Sequence, residues 1–185
     1  MGFSVILDIL RHRRFRLLML HSRIVLVMTG ILFLSGWLLT LLLEWDNPAT
    51  LGKLPPAVRV MAAAFQSVTL RTAGFDTIGQ GGLTPAGQMV AIIHMFIGAS
   101  PASTGGGIKT TTFFVLLSGI YSAATNHSER AFHNAIPKDA FRKASVISIL
   151  AAFLVMTASY LILIFDPQLS LRDVLFEMIS AFSTS

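Results

Sequence analysis

The sequence predicts an all-α integral membrane protein, and three observations carry that expectation. Hydrophobic residues make up 54% of the 185 and charged residues only 12%, about half the charged share of soluble domains. Two uncharged runs, 24–43 (IVLVMTGILFLSGWLLTLLL) and 145–165 (SVISILAAFLVMTASYLILIF), each have the roughly 20 residues needed to cross about 30 Å of hydrocarbon. The net charge of +5 collects in the polar stretches that precede these runs, a topology signal rather than a nucleic-acid footprint. There is no cysteine, which excludes disulfides and thiolate metal sites.

The segment 1–23 is basic and interfacial, holding Arg11, Arg13, Arg14, Arg16 and Arg23. The first span follows it. A signal peptide has a shorter apolar core and a small-residue cleavage site; here the run continues into Glu44-Trp45-Asp46. The polar stretch before the second span, within 122–144, holds Arg130, Lys138, Arg142 and Lys143. By the distribution of Lys and Arg both basic segments are cytoplasmic, and the first span ends outside at Glu44, Asp46 and Asn47, with Trp37 and Trp45 as interface anchors.

Between residue 46, outside, and residue 127, inside, the chain must cross an odd number of times. Residues 56–70 (PAVRVMAAAFQSVTL) form a helix opened by Pro56, but fifteen residues reach only about 22 Å. Such a helix enters and returns, or lies flat at the interface, which Arg59 would suit. Residues 85–121 are too long for one span and are interrupted, since Gly98, Pro101, Gly105, Gly106 and Gly107 forbid a regular helix. Two apolar half-helices therefore flank a small-residue loop, and together they supply the one crossing. Non-helical backbone survives at membrane depth only where it lines a cavity or is buried in protein.

That order assigns a chemistry. A short helix whose carboxyl end points into the membrane directs its negative end at whatever occupies the cavity. The following Thr72-Ala73-Gly74-Phe75 can turn carbonyl oxygens toward an axis, as rings of carbonyls do when they replace a cation's hydration shell. The expectation is a cation pore. A phosphate-binding loop is excluded, because Ile108 separates Gly107 from Lys109 and no strand precedes.

Thr-Ala-Gly-Phe after a pore helix, followed by a broken helix carrying SPASTGGGIKTTT, resembles the Trk/Ktr/HKT superfamily of potassium transporters, most like the membrane subunits of its bacterial Ktr branch. The blocks DILRHRRFRLLMLHSRIVL and FQSVTLRTAGFDT carry the likeness over essentially the whole chain. The resemblance implies four linked helix–pore loop–helix repeats around one pore. Residues 24–121 would be the complete third repeat, with its filter at 72–75 and its gate loop at 98–112. Residues 145–185 would be the first helix and pore helix of the fourth, and the sequence a fragment of a longer product. No enzymatic step and no cofactor in this chain are implied. K+ is the transported ion, Na+ a candidate coupling ion, and no other metal is held. The implied setting is the plasma membrane and its lipid, with homodimers of full-length subunits and a cytosolic nucleotide-binding regulatory ring facing the 126–144 loop. That loop also suits contact with anionic lipid alone.

Thr72, Ala73, Gly74 and Phe75 would supply one quarter of the ion coordination, and Thr184 begins the corresponding fourth filter. Gly98, Ser100, Pro101, Ser103, Thr104, Gly105, Gly106, Gly107 and Lys109 belong to the implied gate loop, where Lys109 acts as a movable positive charge or snorkels to the interface. Arg71 and Asp76 flank the filter, bracing it toward neighbouring repeats or forming a solvated vestibule pair. His94 reads as a hydrogen-bonded packing residue, and His127 and His133 as surface residues without zinc-site company. Two other functions fit less well: a secondary transporter with discontinuous helices for a small solute, and a non-conducting membrane subunit.

Overall fold

The computed structural model describes residues 2–12, 14–125, 130–131, 134–135 and 137–184. His127, His133 and Ser185 lie outside the described residues. The described residues form seven α-helices: α1 (Phe3–Arg11), α2 (Leu20–Glu44), α3 (Pro56–Thr69), α4 (Pro85–Phe96), α5 (Thr110–Thr125), α6 (Lys138–Phe165) and α7 (Leu171–Ser183). Between α5 and α6 a minimal antiparallel pair joins Arg130–Ala131 to Asn134–Ala135.

Among the described residues, two helices are long and apolar enough to cross a membrane, Leu20–Glu44 and Asp139–Phe165. A helix satisfies its own backbone polar groups, which is why apolar runs of this length take that form in lipid. The other apolar helices, α4 and α5, are shorter and consecutive, separated by the glycine-rich break.

The depth of α3 can be read from its bonds to α2. Its first turns lie at the end of α2, where Arg59 donates to the carbonyls of Trp45 (2.9 Å), Gly52 (2.7 Å) and Leu54 (2.7 Å) and stacks 5.1 Å over the Trp45 ring. Further along, Trp37 Nε1 donates to the Val60 carbonyl at 3.1 Å. Near its other end, Ser67 Oγ donates to the Phe33 carbonyl at 2.8 Å. Phe33 is the fourteenth of the 25 residues of α2, so α3 runs antiparallel to α2 and stops halfway along it.

A planar guanidinium that bridges three carbonyls is a clamp an ammonium cannot copy. Arg59→Ala is expected to lower stability by about 2 kcal/mol, read as a drop in the thermal midpoint in detergent, with Arg59→Lys failing to restore it.

α4 follows the same half of α2. Thr84, its N-cap, bonds to Glu44 at the end of α2, and His94 Nε2 meets Ser35 Oγ at 3.1 Å near the middle. Gly36 makes this crossing possible. A Cβ there would stand 2.6 Å from Ser67 Oγ and 3.2 Å from the His94 ring. Small residues let helix backbones approach where lipid offers no hydrophobic drive. α5 then takes the other half of α2, with Phe113 and Phe114 packed on Ile24 and Met28. One apolar cluster, including Ala63 of α3, Met95 of α4, Val155 of α6 and Ile179 of α7, binds the two halves of the chain.

α6 starts at Lys138, several residues before the apolar run that the sequence marks as the span. KDAFRKA is good helix material behind Pro137, so the basic residues Arg142 and Lys143 sit on the helix rather than in a loop. The Phe141 ring occupies the space a Cβ would need at Gly119, which locks α6 to α5. At the other end of the chain, α1 docks through Asp8. Its Oδ2 accepts from the Met19 amide at 3.0 Å, and its Oδ1 pairs with His12 at 3.2 Å. Hydrogen bonding from Ser22 above all, then from Met19 and His12, holds the Asp8 carboxyl below its ordinary range.

Candidate functional site

The segment after α3 is organised by one hydroxyl. Thr69 Oγ1 accepts from the Phe75 amide and donates to the Phe75 carbonyl, both at 2.7 Å. The amides of Ala73 and Gly74 turn back to the Thr69 carbonyl at 3.3 and 3.4 Å. In a trans peptide the N–H of one residue and the C=O of the residue before it point in opposite directions. Three amides aimed at Thr69 therefore send the carbonyls of Thr72, Ala73 and Gly74 away from the helix end. The fourth, at Phe75, returns to Thr69, so the set of outward-facing carbonyls is three residues long rather than four. Phe75 itself is exposed.

Thr72 and Gly74 both have φ of +69°. Glycine takes this angle freely, but a β-branched threonine pays roughly 1–2 kcal/mol for it. Strain of this kind persists where its surroundings enforce it.

The same local form recurs after α7. That helix has 13 residues against 14 for α3, begins at the N-cap Ser170, which accepts from the Asp173 amide at 3.2 Å, and is followed by Thr184 at φ +61°. Two short helices of nearly equal length thus each lead into a left-handed threonine.

The break between α4 and α5 is held by backbone bonds: Ala99 N to Gly106 O (3.3 Å), Ile108 N to Phe96 O (3.0 Å) and Thr110 N to Ala99 O (3.3 Å). Ser103 Oγ donates to the Ser100 carbonyl at 2.7 Å. Gly98 and Gly107 lie against each other's backbone, and Gly107 has φ +72°. Pro101 and Ala102 lie against Gly2 at the start of α1, and a Cβ on Gly105 would reach Thr72 Oγ1 at 2.6 Å. Lys109 Nζ donates to the Gly105 carbonyl at 2.5 Å, so its charge is tied to the loop's own backbone.

A cavity of about 430 Å³ lies between α2, the end of α3 and this loop; its lining includes Thr29, Ser67, Arg71, Thr72, Ser100 and Thr104. Arg71 Nε, Thr29 Oγ1 and Ser100 Oγ are buried there without a hydrogen-bond partner among the described residues. Asp76, just beyond residues 72–75, accepts from the Gly79 amide at 2.9 Å and the Gln80 amide at 3.4 Å. It therefore closes a local turn, and Arg71 and Asp76 form no ion pair with each other. His94 is buried and bonded on both ring nitrogens, to Val90 O at 2.9 Å and to Ser35.

Sequence reasoning missed Glu44. It is fully buried and takes donors from Asn47 Nδ2 (2.5 Å), Thr50 Oγ1 (2.7 Å), Thr84 N (2.9 Å) and Thr84 Oγ1 (2.6 Å). The available signal was the pairing of a single acid ending an apolar run with a Thr-Pro helix start forty residues later, but nothing in the sequence says the two meet.

Two helices of membrane-crossing length with shorter apolar helices packed beside them fit a helical membrane protein. The chain belongs to the TrkH family of cation transport proteins, whose pattern it matches over residues 3–185. It is 35% identical over 184 residues, 99% of its length, to the Ktr system potassium uptake protein B of Bacillus subtilis (strain 168). It is 36% identical over 187 residues to the protein of the same name in Vibrio alginolyticus, and 32% identical over 188 residues to the potassium/sodium uptake protein NtpJ of Enterococcus hirae. The chain spans 41% of the length of each of the two Ktr relatives and 42% of NtpJ.

Proposed function

We propose that this chain is part of the pore-forming subunit of a potassium uptake system and contributes one complete filter quarter and the start of another. The observation that carries the reading is the Ser67–Phe33 bond. A helix that ends halfway along a span presents the outward carbonyls of Thr72, Ala73 and Gly74 at mid-membrane, together with its own negative end. Phe75 braces the turn and Thr184 opens the next quarter. The loop 98–112 is the gate beneath the filter, and its contact through Gly105 with Thr72 supports this. Arg71 and Asp76 support the filter from either side.

Residues 1–23 and 122–144 face the cytoplasm of a plasma-membrane protein. The full-length subunit pairs with a second copy and answers to a cytosolic nucleotide-binding ring. K+ is the principal ion, and the name of the Enterococcus relative makes Na+ the candidate for coupling. Flux from the reconstituted full-length gene product, or growth rescue of cells lacking potassium uptake, tests the reading. Absence of any K+-dependent current or rescue eliminates it.

Lys109 holds the gate shut through its bond to Gly105 and its repulsion of cations. Lys109→Glu is expected to raise the K+ leak measured without the regulatory ring by about tenfold, the effect of losing one charge-assisted hydrogen bond. An unchanged leak removes Lys109 from the gate.

A further inference from the structure

The gate loop is bonded to α7 as well as to its own repeat. The Gly106 amide donates to the Ser183 carbonyl (3.1 Å) and to Thr184 Oγ1 (3.1 Å), and the Gly107 amide donates to the Phe182 carbonyl (3.2 Å). The last carbonyls of a helix have no partner within it, so the loop of one repeat serves as the carboxyl cap of the next repeat's short helix. Gly106 is the position that shows this contact to be close. A Cβ there would meet Phe182 O at 2.5 Å, Ser183 C at 2.9 Å and Ser183 O at 2.9 Å. Unlike Gly107, Gly106 is not in the left-handed region. Its lack of a side chain therefore answers to α7 rather than to a backbone angle.

We propose that the loop and the second filter form one interlocked unit, in which Gly106, Gly107 and Thr184 are positioning residues that make opening of the gate and release of the α7 terminus a single event. While the loop is seated, two amides neutralise the negative end of α7 and fix the angle of Thr184, which leads into the second filter. When the loop leaves, those carbonyls turn from the loop to the ion path, and the cavity becomes more attractive to a cation. Gly105 against Thr72 and Gly106 against Thr184 place the same loop on both filters, so the coupling extends to each.

This rests on the gate reading above, and the experiment separates the two. In the full-length subunit reconstituted in vesicles, Gly106→Ala is compared with a variant shortened within residues 102–104, with K+ leak and K+/Na+ discrimination both measured. The interlock expects Gly106→Ala to raise the leak about tenfold, the shift expected from weakening the three hydrogen bonds that the Gly106 and Gly107 amides donate to α7 and Thr184, and to lower discrimination at the same time. A raised leak with discrimination unchanged overturns the interlock and leaves the gate standing. Wild-type behaviour in Gly106→Ala with a leaky shortened loop does the same. No leak in the shortened loop overturns the gate itself, and the interlock with it. Hydrogen exchange on the unsubstituted subunit gives a test that does not depend on the variants folding. The amides of Gly106 and Gly107 must lose protection in the same step as the last turn of α7, and loop exchange with that turn still protected overturns the proposal.

Discussion

Replacing Glu44 by alanine is expected to cost the subunit about 2–4 kcal/mol, the scale of losing several hydrogen bonds at about 0.5–1.5 kcal/mol each. The carboxyl group gathers four donors from three other residues. Thr50 is buried and is left unsatisfied by the loss, whereas Asn47 and Thr84 are only partly buried and reach water more readily. Glu44→Gln is expected to fall between alanine and wild type. One amide oxygen keeps two of the bonds, whereas the NH₂ group meets a donor on the other side. Thermal midpoints of the detergent-solubilised full-length protein check both variants. Equal, small losses for the two would mean that the donors find water instead. The effect should also reach the candidate site, because Glu44 holds the start of α4 through Thr84 and α4 leads directly into the glycine-rich break before α5.

Thr72→Gly is expected to move stability and selectivity in opposite directions. Removing the strained Cβ from a φ of +69° recovers about 1–2 kcal/mol, offset by about 0.5–1 kcal/mol of glycine's extra unfolded freedom. The thermal midpoint should therefore hold or rise slightly. If residues 72–74 are the proposed filter, K+/Na+ discrimination should fall, by about tenfold for each 1.4 kcal/mol of ordering lost from their carbonyls. Selectivity that survives in a destabilised variant would make Thr72 a packing residue and remove it from the filter.

Much of the fold is legible in the sequence because membrane crossing is a problem of length and charge. The run 24–43 becomes Leu20–Glu44, 56–70 becomes Pro56–Thr69, and the break expected from four glycines and a proline lies between Phe96 and Thr110. Pro56 and Pro85 mark their helix starts through the missing amide. The beginning of α6 was not legible, since KDAFRKA is equally good as a polar loop until Phe141 finds Gly119. Nor was the burial of Glu44, or the reach of Arg59 to three carbonyls. These depend on which distant segments meet, and a local pattern carries no information about that. For the candidate site, the Thr-Ala-Gly-Phe and glycine-rich motifs stand out by composition. The return of the Phe75 carbonyl to Thr69 and the bonding of Gly106 and Gly107 to α7 are backbone events, nearly blind to side-chain identity.

The crossing at Gly36, where Ser67 and His94 meet α2, has a thermal consequence. Water-driven cores weaken on cooling because burying oily surface carries a large heat-capacity change. Lipid tails, not water, are the neighbours that this junction displaces, and its grip comes from close van der Waals approach and two hydroxyl contacts. Its strength should therefore stay nearly constant from growth temperature down to the cold, and the depth to which α3 descends should stay constant with it.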